Sequence, residues 1–115
     1  MEPAFLVGTG GAIGALLRYA VGEYVPATEF PYATLIVNVI GSFVLGVLVF
    51  GGASSDTMLL IGIGACGAFT TYSSFSVQTI LLFEDGKRTA AAANAIGNLV
   101  LSLGAIGLAW LLVGL

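Results

Sequence analysis

The few charged residues of this chain divide it into four long apolar stretches, and this spacing constrains the fold more than any other feature. Of its 115 residues only 8% are charged, whereas soluble globular domains carry about a quarter. A helix that crosses a bilayer needs about 20 consecutive, mostly apolar residues. The stretches cover approximately residues 4–25, 32–52, 57–83 and 89–115. We therefore predict an all-α, multi-pass protein of the cell membrane, with four transmembrane helices in a single membrane domain.

The connections between the stretches are short and contain turn-forming residues. Ala53-Ser54-Ser55-Asp56 joins the second stretch to the third, and Glu84-Asp85-Gly86-Lys87-Arg88 joins the third to the fourth. Short connections predict antiparallel neighbours in a helical bundle. The chain starts without the basic region of a signal peptide, so we expect the first stretch to be retained.

The positions of the charges exclude several classes of function. A nucleic-acid-binding surface needs clustered Lys and Arg, and this chain has three in total, so no nucleic-acid partner is expected. An exporter of small cationic drugs needs a carboxylate inside the membrane, and the positions of the acids disfavour this function. An enzyme is also disfavoured, because the chain has no histidine and no nucleophile beside a base. All acids lie at or beyond the ends of the stretches: Glu2, Glu23, Glu29, Asp56, Glu84 and Asp85.

Glycines recur at spacings that place small residues on one helix face. Examples are Gly10 with Gly14, Gly41 with Gly46, and Gly97 with Gly104 and Gly107. Lipid provides no hydrophobic drive for helix association, so small residues that let backbones approach closely are typical of membrane bundles. We predict that these glycines serve helix packing rather than ligand binding.

The third stretch differs from the other three. It is longer than one crossing requires, and hydroxyl-bearing residues crowd its segment 70–76. Polar side chains at this depth usually face protein or water, and glycines followed by a β-branched, hydroxyl-rich run weaken a helix. We therefore predict a local helix break, which a bilayer tolerates only where the backbone is buried in protein or lines a cavity.

Two rows of uncharged polar side chains recur at steps of four, so each row lies on one face of its helix. The rows are Thr34, Asn38 and Ser42 in the second stretch and Asn94, Asn98 and Ser102 in the fourth. They are either interhelical hydrogen-bond contacts or the lining of a polar pathway, and two full rows favour the pathway. Neutral N–H and O–H donors suit a small anion, because a full positive charge would trap it.

Two further features remain open on the residues alone. Tyr72 and Phe75 are three apart and share a face if the helix has resumed there. They are either two core aromatics or ring edges that face an anion. Arg18 is the one base inside an apolar stretch. It either extends to the interface, or holds a vestibule at positive potential, or bonds a neighbouring backbone.

With these residues in view, the chain resembles the Fluc (CrcB) fluoride channel family over essentially its whole length. Three motifs in order carry the resemblance. They are Gly10-Gly11-Ala12-Ile13-Gly14-Ala15-Leu16-Leu17-Arg18-Tyr19, then Ala33-Thr34-Leu35-Ile36-Val37-Asn38-Val39-Ile40-Gly41-Ser42-Phe43, and Gly64-Ala65-Cys66-Gly67-Ala68-Phe69-Thr70-Thr71-Tyr72-Ser73-Ser74-Phe75-Ser76.

The resemblance implies a fluoride-selective channel for passive export, which gives resistance to fluoride toxicity. It also implies an antiparallel, dual-topology dimer with two anion pores along the interface. Arg18 is then a vestibule or interface residue, and the break holds a structural Na⁺ on the backbone carbonyls of Gly67 and Thr70. Together with the polar rows, the implied pore comprises Thr34, Asn38, Ser42, Thr71, Tyr72, Ser74, Phe75, Asn98 and Ser102.

Two positions depart from the family pattern. Tyr72 stands where phenylalanine is usual, and Ala68 stands where a second glycine is usual. The tyrosine hydroxyl would lie beside the ion path, so a non-conducting or partly conducting subunit of a heterodimer is the alternative to a homodimer. Lys87 and Arg88 lie on the side of the first and third connections, and the positive-inside rule would place that side in the cytoplasm. A dual-topology homodimer requires nearly equal numbers of Lys and Arg on the two sides of the membrane.

Overall fold

The computed structural model describes residues 2–115, so Met1 lies outside the described part of the chain. Helix α1 spans Pro3–Tyr24 and α2 spans Tyr32–Phe50. The third span contains α3, which runs without interruption through Ser55–Thr57, Met58–Cys66 and Gly67–Phe69, and then α4, Tyr72–Glu84. Helix α5 spans Arg88–Gly114.

These elements give four spans that are long and apolar enough to cross a membrane. The prediction of an all-helical, multi-pass membrane protein is therefore confirmed. The helix ends differ from the predicted ones by one or two residues; α2, for example, ends at Phe50 rather than at residue 52.

Local sequence signals explain where the helices begin. Pro3 opens α1 in the first turn, where its missing N–H costs no hydrogen bond. The Ser54 side chain accepts a hydrogen bond from the N–H of Thr57 at 3.3 Å and so caps α3. Thr71 caps α4 in the same way, since its Oγ1 accepts from the N–H of Ser74 at 3.1 Å. Each cap satisfies a backbone donor that the first turn of a helix leaves unpaired.

The third span is interrupted, as its sequence predicts. Thr70 and Thr71 are extended, with φ, ψ of −81°, 161° and −148°, 120°. Before this break, Met58–Cys66 forms a π-helix, a wider turn that usually occurs as a short bulge near functional sites. The π-helix is not predictable from the residue pattern, because hydrophobic periodicity does not separate it from an α-helix in so short an apolar run.

Close backbone contacts at glycines hold α1 against α3. A Cβ added at Gly10 would clash with the carbonyl of Leu60, and one at Gly14 would clash with the carbonyl of Ala65. On the other side of the bundle α2 packs against α5, where a Cβ at Gly46 would lie 2.9 Å from that of Ala109. The predicted packing role of these glycines is confirmed.

The glycines on the outer face of α5 behave differently. A Cβ added at Gly97, Gly104 or Gly107 would meet no atom within 4 Å among the described residues. The predicted packing role of these three is therefore not fulfilled inside one chain, and they leave a shallow strip on the surface of α5.

An exposed ion pair shows which connections share one end of the bundle. Lys87 Nζ lies 2.6 Å from Glu29 Oε1, so the α1–α2 connection and the α4–α5 connection lie at the same end of the bundle. A hydrogen bond to this carboxylate raises the pKa of Lys87. The antiparallel arrangement predicted from the short connections follows from this contact.

We expect Gly10→Ala to lower stability by about 1–3 kcal/mol, the usual cost of forcing extra volume into a packed interface. The obstructing atom is a backbone carbonyl of α3, so α1 must move as a whole. Thermal unfolding of detergent-purified protein measures the effect. Gly8→Ala is the matched control on the same helix, because its Cβ would meet nothing within 4 Å. Equal melting temperatures for the two variants would contradict the packing assignment.

Candidate functional site

A groove of about 580 Å³ lies between α2, the end of α3, α4 and α5. It is largely apolar, with side chains such as Leu45, Leu99 and Leu103 beside a limited set of polar ones. Within residues 2–115 it has no charged side chain in its lining. Its polar residues are Asn38, Ser42, Thr70, Thr71, Tyr72, Asn98 and Ser102.

Asn38 on α2 bonds the backbone at the helix break. Its Oδ1 accepts a hydrogen bond from the N–H of Thr71 at 2.8 Å, and its Nδ2 donates to the carbonyl of Thr71 at 3.1 Å. The side-chain amide thus supplies the two bonds that a neighbouring peptide group would supply. Unpaired backbone groups are costly away from water, so this contact stabilises the break.

A row of side-chain amides continues from this point across α5 to α4. Asn38 Nδ2 donates to Asn98 Oδ1 at 2.9 Å, and Asn98 Nδ2 donates to the Oδ1 and the backbone carbonyl of Asn94 at 3.0 and 2.8 Å. Asn94 Nδ2 donates to Thr79 Oγ1 at 2.9 Å. We call Asn38, Asn98 and Asn94 the amide network. Asn94 has no exposed surface and Asn98 is 6% exposed.

Asn94 of the amide network and its partner Thr79 are both absent from the predicted pore. The fourth-stretch row contains Asn94, but nothing in the sequence assigns it a partner on α4. Thr79 follows the hydroxyl-rich segment, and its one polar neighbour at helical spacing, Ser76, lies on the same helix and gives no sign of a contact with α5. The spacing of four residues between Asn94 and Asn98 indicates that they share one helix face. It does not indicate a contact between Asn94 and another helix.

The groove also contains hydroxyls that make no internal bond. The Oγ of Ser102 is buried and has no hydrogen-bond partner in the described structure. Ser42 faces the same groove from α2, and among residues 2–115 its side chain makes no hydrogen bond. A buried hydroxyl without a partner is uncommon, because it loses its bonds to water without replacement.

The aromatic pair shares one face, as its spacing predicts. The ring centroids of Tyr72 and Phe75 are 6.2 Å apart with an interplanar angle of 42°, a tilted arrangement that aromatic rings favour. Both line the groove, and Tyr72 is 82% exposed in the single chain. The core interpretation therefore does not fit Tyr72, while a role of the pair in a pore stays a prediction.

Arg18 bonds the backbone of the break, one of the three roles left open by the sequence. Its Nη1 donates to the carbonyl of Thr70 at 3.4 Å, and the side chain is exposed. This is a long hydrogen bond, and it brings a guanidinium to the edge of the groove.

The carbonyl oxygens of Gly67 and Thr70 are suitable ligands for a small cation, but two oxygens are too few to complete its coordination shell. In a continuous helix the N–H of Thr71 would donate to Gly67, but here it donates to Asn38, which leaves the Gly67 carbonyl without that donor. Freed carbonyls at a helix break can coordinate Na⁺. The Thr70 carbonyl, however, also accepts from Arg18. Two oxygens of one chain would form only part of a coordination shell.

Two of the predicted pore residues do not line the groove. Thr34 is 6% exposed and lines a second cavity of about 380 Å³ near the Glu29–Lys87 end of the bundle. Ser74 donates its N–H to Thr71 Oγ1 in the first turn of α4. The other seven lie along the groove: Asn38, Ser42, Thr71, Tyr72, Phe75, Asn98 and Ser102.

Comparison with known proteins identifies the family. The model of the family described as "CrcB-like protein, Camphor Resistance (CrcB)" matches residues 5–111. This chain belongs to the CrcB family. The predicted resemblance is thus confirmed.

Three relatives illustrate the similarity. "Fluoride-specific ion channel FluC 1" of Halobacterium salinarum is 56% identical over 111 residues, which cover 96% of this chain and 93% of the relative. "Fluoride-specific ion channel FluC 2" of Haloarcula marismortui is 54% identical over 110 residues, covering 96% and 92%. "Fluoride-specific ion channel FluC" of a Shewanella species is 43% identical over 110 residues, covering 90% and 89%.

For this member of the CrcB family, we expect Asn98→Leu to lower stability by about 1–3 kcal/mol for each buried polar group that it leaves unpaired. Oδ1 of Asn94 then loses the donor that it has in the described structure, while Nδ2 of Asn38 keeps its bond to the carbonyl of Thr71 and loses the second one. Ser102→Ala removes a hydroxyl that has no partner, so stability should stay the same or rise slightly. Thermal unfolding of both variants compares the two cases. A destabilised Ser102→Ala variant would contradict the assignment of its hydroxyl as unpaired.

Proposed function

We propose that this chain is a subunit of a fluoride-specific ion channel that lets fluoride leave the cell passively across the cell membrane and so gives resistance to fluoride. The observation that carries the proposal is the groove itself. It is lined by uncharged hydrogen-bond donors and, within the described residues, by no charged side chain. Relatives that cover nearly the whole chain bear the name of fluoride-specific channels, which supports the proposal and disfavours an enzyme.

The chemistry of the lining suits a small anion that gives up its water. Conduction needs sites that admit the ion and also release it, and neutral N–H and O–H groups meet both demands. The positive edges of the Tyr72 and Phe75 rings add a weaker attraction for negative charge. A pore for cations would require carboxylates or carbonyls facing the ion.

The donors differ in how readily they reach an ion. Both Nδ2 hydrogens of Asn38 and both of Asn98 are engaged inside the protein, while the hydroxyl of Ser102 has no partner. Fluoride in the groove would therefore bind first to the hydroxyl of Ser42, since that of Ser102, although free of a partner, is buried. It would reach Asn38 by replacing one of the bonds of that amide.

A second subunit would complete the pathway. The groove is open along one side of the single chain, and the strip of Gly97, Gly104 and Gly107 on α5 has room for a closely packed helix. We infer an antiparallel, dual-topology dimer, either of two copies or of this chain with a related one. The same assembly would bring two sets of Gly67 and Thr70 carbonyls together and could thereby hold a structural Na⁺ through four oxygens of the two chains. Arg18 would then lie at this interface.

Export of cationic drugs is not favoured. That mechanism exchanges a proton for a cation on a carboxylate, and in the part of the chain that the structure describes no Asp or Glu lines the groove. The CrcB relatives are named as ion channels.

Fluoride efflux from liposomes that contain the purified protein tests the proposal. We expect fluoride efflux above that of protein-free liposomes, with no matching chloride efflux. In Asn38→Asp the efflux should be lost, because a carboxylate removes the donor to Asn98 and repels the anion. A single, monodisperse size-exclusion peak establishes that the variant is folded. Wild-type liposomes that release chloride as fast as fluoride would refute fluoride specificity, and normal efflux through Asn38→Asp would refute the role of this residue.

The exposed Tyr72 hydroxyl separates a conducting subunit from a non-conducting one. For a conducting homodimer we expect Tyr72→Phe to change the fluoride rate by less than about tenfold, since one exposed hydroxyl has a modest effect on the barrier. Efflux that appears only in Tyr72→Phe would assign wild type the role of a non-conducting partner. Phe75→Tyr, tested in parallel, shows whether a second hydroxyl in the groove closes the path.

A further inference from the structure

We propose that Asn94 and Thr79, neither of which lines the groove, are positioning residues that fix the orientation of the Asn98 and Asn38 amides and thereby set the rate of fluoride conduction. The inference rests on the proposed channel function. It follows from the direction of each hydrogen bond in the amide network. An amide has one end that donates and one that accepts, so rotating it by half a turn reverses what it offers to an anion.

Thr79 fixes the donor–acceptor direction of the hydrogen bonds at the α4 end of the amide network. Its hydroxyl has a single proton, and that proton is donated to the carbonyl of Phe75 at 2.8 Å. The Thr79 oxygen therefore acts only as an acceptor towards Asn94, whose Nδ2 lies 2.9 Å away. A rotated Asn94 would place its carbonyl oxygen against the Thr79 oxygen with no proton between them.

The orientation of Asn94 in turn determines the orientation of the Asn98 amide. With its Nδ2 turned to Thr79, Asn94 presents its Oδ1 to Asn98, and this oxygen and the Asn94 backbone carbonyl accept both hydrogens of Asn98 Nδ2. The remaining end of the Asn98 amide, Oδ1, must face Asn38. It accepts there from Asn38 Nδ2 at 2.9 Å.

The helix break sets the direction at the other end. The N–H of Thr71 donates to Asn38 Oδ1, so this oxygen turns to the backbone and Nδ2 turns to Asn98. The Asn38 amide is thus fixed twice, by Thr71 from one side and by Thr79, through Asn94 and Asn98, from the other. A single rotated amide would bring two donors or two acceptors together in a buried site.

This double constraint matters for an anion in the groove. Without Thr79, Asn94 can rotate and turn its Nδ2 towards that of Asn98, whose orientation is then held only by the Asn94 backbone carbonyl and by Asn38. The amides would then occupy a mixture of orientations, some with oxygen where a donor is needed. An anion would meet repulsion at those sites, so Thr79 acts on conduction although it does not touch the ion.

The test compares Thr79→Val with Thr79→Ser in the full chain reconstituted in liposomes. Valine keeps the shape and removes the hydroxyl, whereas serine restores it. We expect fluoride efflux to fall about tenfold or more in Thr79→Val, the size of effect that follows from removing one buried hydrogen-bond partner. Thr79→Ser should retain most of the wild-type rate.

Ser76→Ala is the matched control. Ser76 lies on the same helix and makes the same kind of bond, from its hydroxyl to the carbonyl of Tyr72 at 2.9 Å, but it contacts no amide of the network. Efflux should stay at the wild-type level. If the Val variant does not give monodisperse protein, Thr79→Cys takes its place, because a thiol keeps the volume and bonds only weakly.

A second measurement reports orientation without relying on conduction. In protein with ¹⁵N-labelled asparagine side chains, the Nδ2 resonances of Asn98 and Asn38 should shift or broaden in Thr79→Val and return in Thr79→Ser. Unchanged resonances, or equal efflux through the Val and Ser variants, would overturn the proposal. Absence of fluoride efflux in wild type would refute the proposed function, while the resonances would still decide whether Thr79 orients the amides.

Discussion

The bonds between Asn38 and the backbone of Thr71 make the rest of the site possible. A helix that stops partway through a membrane span exposes peptide groups that lipid cannot satisfy. Here the N–H and the carbonyl of Thr71 both bond to one side-chain amide on the neighbouring helix. The break then costs little, and it turns the chain so that Tyr72 and Phe75 enter the groove at the start of α4. The two aromatics owe their position to a polar contact on another helix.

The same amide links the break to the network that crosses α5. Each hydrogen bond fixes the orientation of the next side chain, so the arrangement is rigid although its members are uncharged. Rigidity has a consequence for ion binding. In the proposed channel, donors that are already paired would add little to the affinity for an anion, so the site would bind weakly enough to release its ion.

The bundle divides into a tightly packed half and an open half. Helices α1 and α3 meet through Gly10 and Gly14 at backbone distance, which leaves no room for a polar path between them. The groove lies away from this contact, between α2, the end of α3, α4 and α5, although α2 still packs closely on α5 where Gly46 meets Ala109. Arg18 joins the two halves, since it reaches from α1 to the carbonyl of Thr70. The charged pair of Glu29 and Lys87 remains at the end of the bundle, away from the groove lining.

The residue pattern alone is enough to predict the four spans, the interruption of the third and the groove residues of the two polar rows. These follow from short-range physics: spans of about 20 apolar residues, side chains four apart on one helix face, and a weak helix where glycines precede hydroxyl-rich residues. It also identifies the packing glycines of α1, although it assigns the same role to Gly97, Gly104 and Gly107, where an added Cβ would meet no atom within 4 Å among the described residues.

The folded structure is needed to see which polar groups pair and which remain free. Asn38 meets Thr71 across 33 positions and Asn98 across 60, and no periodicity relates residues so far apart. It also separated Thr34 from the other pore candidates and revealed Thr79 as a partner of Asn94. A hydrogen bond forms only when donor and acceptor lie within a distance window of about half an ångström. Whether two groups meet that condition depends on how α2, α4 and α5 pack.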